Sequence, residues 1–425
     1  MILRLGHTRT LGILCGSLLL CAGLAQVAPT ARAATGASRY PAGATRPAFR
    51  PRASEYAHAA STSRRSKKSK KPLLRGNPAR ALAAFEEMQT RYYLLGSGLY
   101  AGEPFSYLWP FSQAMAATVS LANIPHLGMS MARQLKAREV GLRSYLDLNN
   151  SGVAEGAFTS TLAAFDGTVA PPAGPGGTKY YDDNDWVGIE LVRLYKLTHE
   201  APILGSAEAI MAFEMAGWQT SPELGCPGGV PFDNALENTD RNTVTTAPAA
   251  ELAVQLYKLT GNAQYLQFAE MAYQWVRSCL LQPSGMYADH VNRKGVVEPM
   301  LWSYNQGAMI GAGALLYQAT GNSAFLYQAR QTAQAAVAYF TPERLAAENP
   351  FFPSVYFRNL MYLDSITHDP PGSAPAQNYV NHAWQYLRLS DNVFVAGTPA
   401  SAQLLYQAAV AQIYALLSSP ASTYF

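Results

Sequence analysis

Cysteine and charge are both scarce in this chain. Only four cysteines occur in 425 residues, and Cys15 and Cys21 fall in an apolar run near the start. Cys226 and Cys279 remain, too few for a cysteine scaffold. They are an even pair able to form one disulfide outside the cytoplasm, or two buried thiols. No Cys/His spacing matches a zinc site, so no metal or other cofactor is expected. Charged residues are 14% of the chain against 49% hydrophobic, which leaves ample material for one large core or two smaller ones. That small charge is also unevenly placed. Residues 1–80 hold fifteen Lys and Arg against Glu55 alone, so the rest carries 17 basic and 27 acidic residues, a net −10. A nucleic-acid-binding body would gather positive charge on a folded face, so nucleic acid is not an expected partner.

Long apolar runs are lacking too, with one exception. Behind Arg4 and Arg9 comes LGILCGSLLLCAGLAQV, and Ala31-Arg32-Ala33 follows as a cleavage site. Residues 1–33 therefore read as an export signal, with a retained anchor or a lipid attached at Cys21 as weaker alternatives. Residues 34–77 are rich in Ala, Pro, Arg and Ser and include STSRRSKKSKK. They have too few large apolar side chains for a core, and a disordered segment is expected. Its charge suits contact with an anionic envelope; a solvated spacer is the plain alternative. The expected location is secreted or cell-envelope associated.

Strand-like alternation is scarce as well, which argues against a sheet protein. What fills residues 78–425 is helical periodicity. The segments are residues 79–95, Phe105–Leu121, Ser130–Leu146, Asp183–Leu197, Ala207–Ala216, Thr245–Leu259, Ala263–Leu280, Ser303–Gln318, Ser323–Phe340, Val355–Leu363, Tyr379–Leu389 and Thr398–Leu416. Two stretches are alike: LAVQLYKLTGNAQYLQF from Leu252 and GALLYQATGNSAFLYQA from Gly313. LVRLYKLTHEAP from Leu191 is a weaker third copy. Gly261 and Gly321 fall where a helix stop needs positive φ. Repeated helix–turn–helix units imply an open superhelix or a closed ring. About six hairpins fit an all-α closed toroid, an (α/α)6 barrel, in a single domain.

The unusual residues lie in insertions between the hairpins. KYYDDND at Lys179 sets Asp182 and Asp183 side by side between Tyr180, Tyr181 and Trp186. One reading makes the acids a helix start, where carboxylates meet free N–H groups. The other is a glycoside-cleaving pair, one carboxylate to attack or activate water and one to protonate the leaving oxygen. The aromatics favour the second, since their faces stack on sugar rings and their edges hydrogen-bond hydroxyls. Asp233, Asn234, Asp240, Arg241 and Asn242 are candidate hydroxyl contacts, with an internal Asp240–Arg241 ion pair as the alternative. Tyr304, Asn305 and Gln306 stand at another helix start, for sugar contacts or for capping. Asp289 and His290 can line the cleft, although a loop histidine is more often solvated.

Several ordered motifs carry a family resemblance. They are YYDDNDWVGIELVRLYKLT from Tyr180, GGVPFDN from Gly228, ENTDRNTVTTAPAAELAVQLYKLTG from Glu237, WVRSCLLQPSGMYADHV from Trp275, LWSYNQGAMIGAGALLYQATGN from Leu301 and FFPSVYFRNLMYLDS from Phe351. Together they resemble glycoside hydrolase family 76, the endo-α-1,6-mannanases and their relatives, from about Asn77 onward. The resemblance implies a retaining enzyme on an (α/α)6 barrel, acting on α-mannan or another mannose-containing envelope glycan. It makes Asp182 the nucleophile and Asp183 the general acid/base. Asp185 stands where the family favours a small residue, and Val230–Asn234 lacks an expected tryptophan. A transglycosylase acting in cell-wall assembly and a noncatalytic envelope glycan-binding protein are the alternatives.

Overall fold

Apolar residues at helical spacing become thirteen α-helices in the computed structural model, which describes residues 74–148, 162–235, 237–368, 372–395 and 403–425. The export signal and nearly all of the basic segment lie outside the described residues. In chain order the helices are α1 (Asn77–Tyr92), α2 (Leu108–Ala122), α3 (Gly128–Leu142), α4 (Tyr181–Thr198), α5 (Ala201–Ala216), α6 (Thr243–Thr260), α7 (Ala263–Leu280), α8 (Ser303–Thr320), α9 (Ser323–Tyr339), α10 (Pro342–Ala347), α11 (Phe351–Thr367), α12 (Ser373–His382) and α13 (Leu404–Leu416).

Alternate helices close a ring. α2, α4, α6, α8, α11 and α13 each pack against the next, and α13 packs back onto α2. Outside them α3, α5, α7, α9 and α1 lie against α2, α4, α6, α8 and α13, while α12 covers α11 and α13. The architecture is the all-α closed toroid, an (α/α)6 barrel. Sequence explains which helix goes where. Every residue of α6 from Thr243 to Leu256 is buried, as is α8 from Ser303 to Leu316. Such all-round burial suits an inner helix with neighbours on every side. In α7 the buried set is one stripe, including Phe268, Ala269, Ala272, Tyr273 and Val276, as an outer helix requires. Small residues let inner helices approach: a Cβ on Gly307 would lie 2.6 Å from the Tyr356 Cα.

The two ends of the ring differ. Inner helices α4, α6, α8 and α11 stop at a residue in the left-handed region, His199, Gly261, Gly321 and His368, each donating its N–H to a carbonyl four residues back. A threonine precedes each stop and bonds the preceding turn. The turns after α4, α6 and α8 are therefore tight. The connections that enter inner helices are long, and they gather at the N-terminal end of the ring.

Short pairings tie those loops together. β1 (Leu146–Asp147) pairs antiparallel with β2 (Ala164–Phe165), and β3 (Arg241–Asn242), β4 (His290–Val291) and β5 (Val297–Glu298) form a three-stranded sheet. Asn242 sits opposite His290, and His290 opposite Glu298. Two-residue strands and the six-residue α10 were not legible in the sequence, because neither is long enough to show a period. Cys226 and Cys279 form a disulfide, with Cα atoms 6.2 Å apart, that pins the loop before α6 to the end of α7. α11 starts at Phe351 rather than Val355, and α12 runs into a π turn at Ala383–Leu387.

Candidate active site

The start of α4 is held from two sides. Lys179 Nζ pairs with Asp166 Oδ1 at 2.9 Å, both fully buried. The Lys179 N–H donates to Asn234 Oδ1 at 3.0 Å, and the Tyr181 N–H to the Phe232 carbonyl at 3.1 Å. Asn184 accepts from the Phe165 N–H and donates to the Phe165 and Tyr180 carbonyls. The first turn of α4 is thus sewn to β2 and to the loop before α6.

On that turn stand Asp182 and Asp183. Neither caps the helix; the N-cap is Tyr180, with extended backbone and no side-chain bond to the helix. Asp183 is buried and Asp182 half-buried, with its Oδ1 shielded and without a hydrogen-bond partner among the described residues. Burial raises the Asp182 carboxyl to about 7, backbone N–H groups at the helix start oppose the rise, and the charges of Asp233 and Asp289 add to it. Asp183 is pushed well above the usual range by burial and by the charge of Asp182. Two adjacent carboxyls therefore differ, Asp182 ionising first and Asp183 keeping its proton.

Deeper in the ring more carboxyls follow. Asp185 on α4, Glu214 on α5 and Glu251 on α6 are fully buried; the oxygens of Asp185 and Glu214 accept no hydrogen bond among the described residues, and Asn359 lies beside Glu251. Burial raises all three, Glu251 to about 8, and Glu214 and Asp182 push Asp185 further. A cation does reach Glu251: Arg358 lies 3.8 Å from it and 3.0 Å from Glu190.

A cluster of aromatic rings includes Tyr304, which is close enough to Asp182 and Asp289 to feel their charges. Phe351 lies between Trp109 and Trp186, with centroids 5.4 and 5.5 Å away, and Tyr304 packs on Phe352 at 4.1 Å. Trp186 is buried against Phe351, so it offers no open face as a cleft wall. Tyr181 is displaced entirely: it stacks on Phe213 at 4.4 Å and belongs to the α4–α5 contact. Tyr180 stays half-buried, edge-on to Phe232 and close to both catalytic candidates.

The polar candidates divide in the same way. Asp233 is half-buried and close enough to Asp182 to act on it, while its Oδ1 accepts the Ala235 N–H. Asn242 Oδ1 is shielded and has no hydrogen-bond partner among the described residues, and Asn305 donates to Asp289 Oδ1 at 3.3 Å. Asn234 is occupied in the clamp on Lys179. Gln306 spends its amide on Tyr287 and the Trp302 carbonyl. The Arg241 guanidinium binds the carbonyls of Thr239, Gly225 and Cys226, and it makes no ion-pair contact with Asp240 among the described residues. Asp240 faces His290 Nε2 at 3.7 Å instead.

Sequence reasoning undervalued Asp289 and His290. Their side chains meet at 3.0 Å, and that bond to Asp289 raises the imidazole. The β3–β4 pairing brings them to the pair, a long-range event with no local signal. Glu348, which binds the Ser303 N–H at 3.0 Å and steadies the start of α8, also escaped notice.

The profile of Glycosyl hydrolase family 76 matches residues 97–366. Mannan endo-1,6-alpha-mannosidase DCW1 of Candida glabrata is 31% identical over 106 residues, 23% of this chain and 24% of its own. The matched stretch thus spans about a quarter of that relative's length. The family 76 glycoside hydrolase (mannosidase) Bt3792 of Bacteroides thetaiotaomicron superposes with a TM-score of 0.70 at 20% identity, over 80% of this chain and 98% of that one. GH76A alpha-1,6-mannanase of Salegentibacter superposes with a TM-score of 0.64 at 18% identity, over 81% and 99%. That structure is an inactive variant with two adjacent aspartates changed to asparagine, in complex with α-1,6-mannotriose.

Proposed function

The chain belongs to glycosyl hydrolase family 76, and on that premise we propose that it cleaves α-1,6-mannosidic bonds within mannan-type polysaccharide, with retention. One observation carries this reading: two adjacent carboxyls stand on the first turn of α4, at the end of the ring where the long loops gather, in environments that separate their protonation. The adjacent aspartates of the Salegentibacter mannanase, whose replacement inactivates that enzyme, support it by analogy.

Asp182, the first to ionise, attacks the anomeric carbon and forms a glycosyl ester as the glycosidic C–O bond breaks. Asp183 gives its proton to the departing oxygen. It then takes a proton from water, whose oxygen displaces Asp182 and restores both groups. Asp233, Asp289 and Asn242 supply acceptors near the pair for sugar hydroxyls, and Asn305 orients Asp289.

The test is wild type against Asp182→Asn and Asp183→Asn on linear α-1,6-mannooligosaccharides, with product anomers followed by NMR. Each variant should fold and lose on the order of 10³-fold in rate, and the wild type should release α product first. First-formed β product overturns the retaining pair, and full activity in both variants reduces the aspartates to structural groups. Elongated products identify a transglycosylase; binding without turnover identifies a glycan receptor.

A further inference from the structure

Most aromatics expected to hold sugar rings are covered, Tyr181 at 4%, Trp186 at 2% and Tyr304 at 8% exposure. A different ring at the same end of the barrel is open. Tyr107 is the N-cap residue of inner helix α2 and is 65% exposed. Its backbone is well fixed. The next residue, Leu108, donates its N–H to the Gly167 carbonyl at 2.9 Å, and a Cβ on Gly167 would lie 2.8 Å from the Tyr180 ring. Tyr107 and Tyr180 therefore flank one backbone segment, and their phenols are close enough to interact electrostatically.

Exposure alone does not single out a residue, since isolated exposed aromatics are ordinary. Tyr327 and Tyr386 are equally open, but both lie in the outer layer and use their side chains there. Tyr327 binds Gln331, and Tyr386 packs on His382. Tyr107 makes no ring contact and no side-chain hydrogen bond among the described residues. It stands at the N-terminal end of the ring, as the N-cap of α2.

We propose that Tyr107 is the platform of an outer sugar subsite, stacking on a pyranose of the α-mannan chain at least one unit away from the bond broken between Asp182 and Asp183. The ring offers a flat apolar face to the C–H face of a hexose, and its phenol offers a hydrogen bond to an equatorial hydroxyl. Tyr107 neighbours Tyr180 but does not itself act on Asp182 or Asp183, so its contribution is the same in the ground state and the transition state. It acts on KM and not on kcat. This inference rests on the proposed mannan activity.

The experiment compares the full chain with Tyr107→Ala and Tyr107→Phe on linear α-1,6-mannooligosaccharides of two to six units. For the longest substrate Ala should raise KM about tenfold with kcat unchanged. The shortest substrate that is cleaved should lose nothing, and Phe should keep most of the affinity. No change at any length, or an equal loss at every length, overturns the subsite. If the wild type cleaves none of these sugars, the proposed function fails separately, and calorimetric titration with the six-unit sugar decides the subsite. Weaker binding by the Ala variant then upholds it. Equal binding, or none by the wild type, overturns it.

Discussion

Two carboxyls on neighbouring residues do different work only when their surroundings differ, and at the start of α4 they do. Asp182 is half-buried and reached by backbone N–H groups that oppose its rise, whereas Asp183 is buried beside the charge of Asp182. Activity should therefore rise as pH increases through about 7, where Asp182 ionises, and fall again where Asp183 loses its proton. A rate profile flat from pH 5 to 9 would remove both assignments. Asp185 gives a second prediction at this scale. It is fully buried, forms no hydrogen bond among the described residues, and is raised well above the usual range, so the folded protein holds it neutral. Asn is a neutral group of the same size. Asp185→Asn should leave the melting temperature unchanged below pH 4 and raise it by several degrees at pH 8, where the unfolded chain alone has ionised. A lower melting temperature at pH 8 would mean that the carboxylate is charged and held by a donor.

Helix ends repeat through the chain, and their stops can be tested one at a time. Gly261 and Gly321 have φ of 72° and 71°, and an added Cβ would meet nothing within 4 Å at either position. The cost of alanine is then backbone strain alone. Gly261→Ala and Gly321→Ala should each destabilise by about 1 kcal/mol in urea unfolding, and the double variant by their sum. His199 already occupies the same conformation after α4, so the position tolerates a side chain at a cost. The disulfide acts between elements. It joins residues 53 apart in sequence and limits the unfolded chain, a constraint worth up to about 4 kcal/mol. Paired Cys226→Ser and Cys279→Ser changes should lower the melting temperature without changing kcat. An unchanged melting temperature would show that neighbouring packing already fixes this loop.

The whole ring carries a proton cost that sets its response to pH. Burial raises Asp182 from 3.8 to about 7, Glu348 from 4.5 to about 7 and Glu251 from 4.5 to about 8. The unfolded chain ionises these groups first, so the folded state binds more protons between pH 4 and 8. The stabilisation they provide is complete below about pH 4 and is lost as pH rises through 7 to 8. Calorimetry across that range should show falling stability of the folded ring and proton uptake on refolding. Rising stability would mean that the buried acids are ionised. Residues Lys71–Phe425 form one compact unit. A chain starting at Lys71 should keep full kcat on a soluble oligosaccharide.

Much of this protein was written locally. The helix periods, the Thr-Gly-Asn stops and the adjacent aspartates at a helix start depend on residues near one another in sequence, and they led to the toroid and to Asp182 and Asp183. What local pattern does not encode is direction around a closed ring. Tyr180 and Tyr181 are neighbours, yet one stays half-buried beside Phe232 and the other stacks on Phe213, because the backbone changes from extended at Tyr180 to helical at Tyr181. Arg241 and Gln306 were plausible sugar ligands by type, but tertiary folding placed unpaired backbone groups beside them, and those groups consumed their hydrogen bonds. Asp289, 107 residues beyond Asp182, reached the site through a two-residue strand pairing. Sequence determined the helices and set two aspartates side by side at a helix start; tertiary structure decided which remaining polar and aromatic groups stay open, since burial and prior hydrogen bonding arise only when distant loops converge.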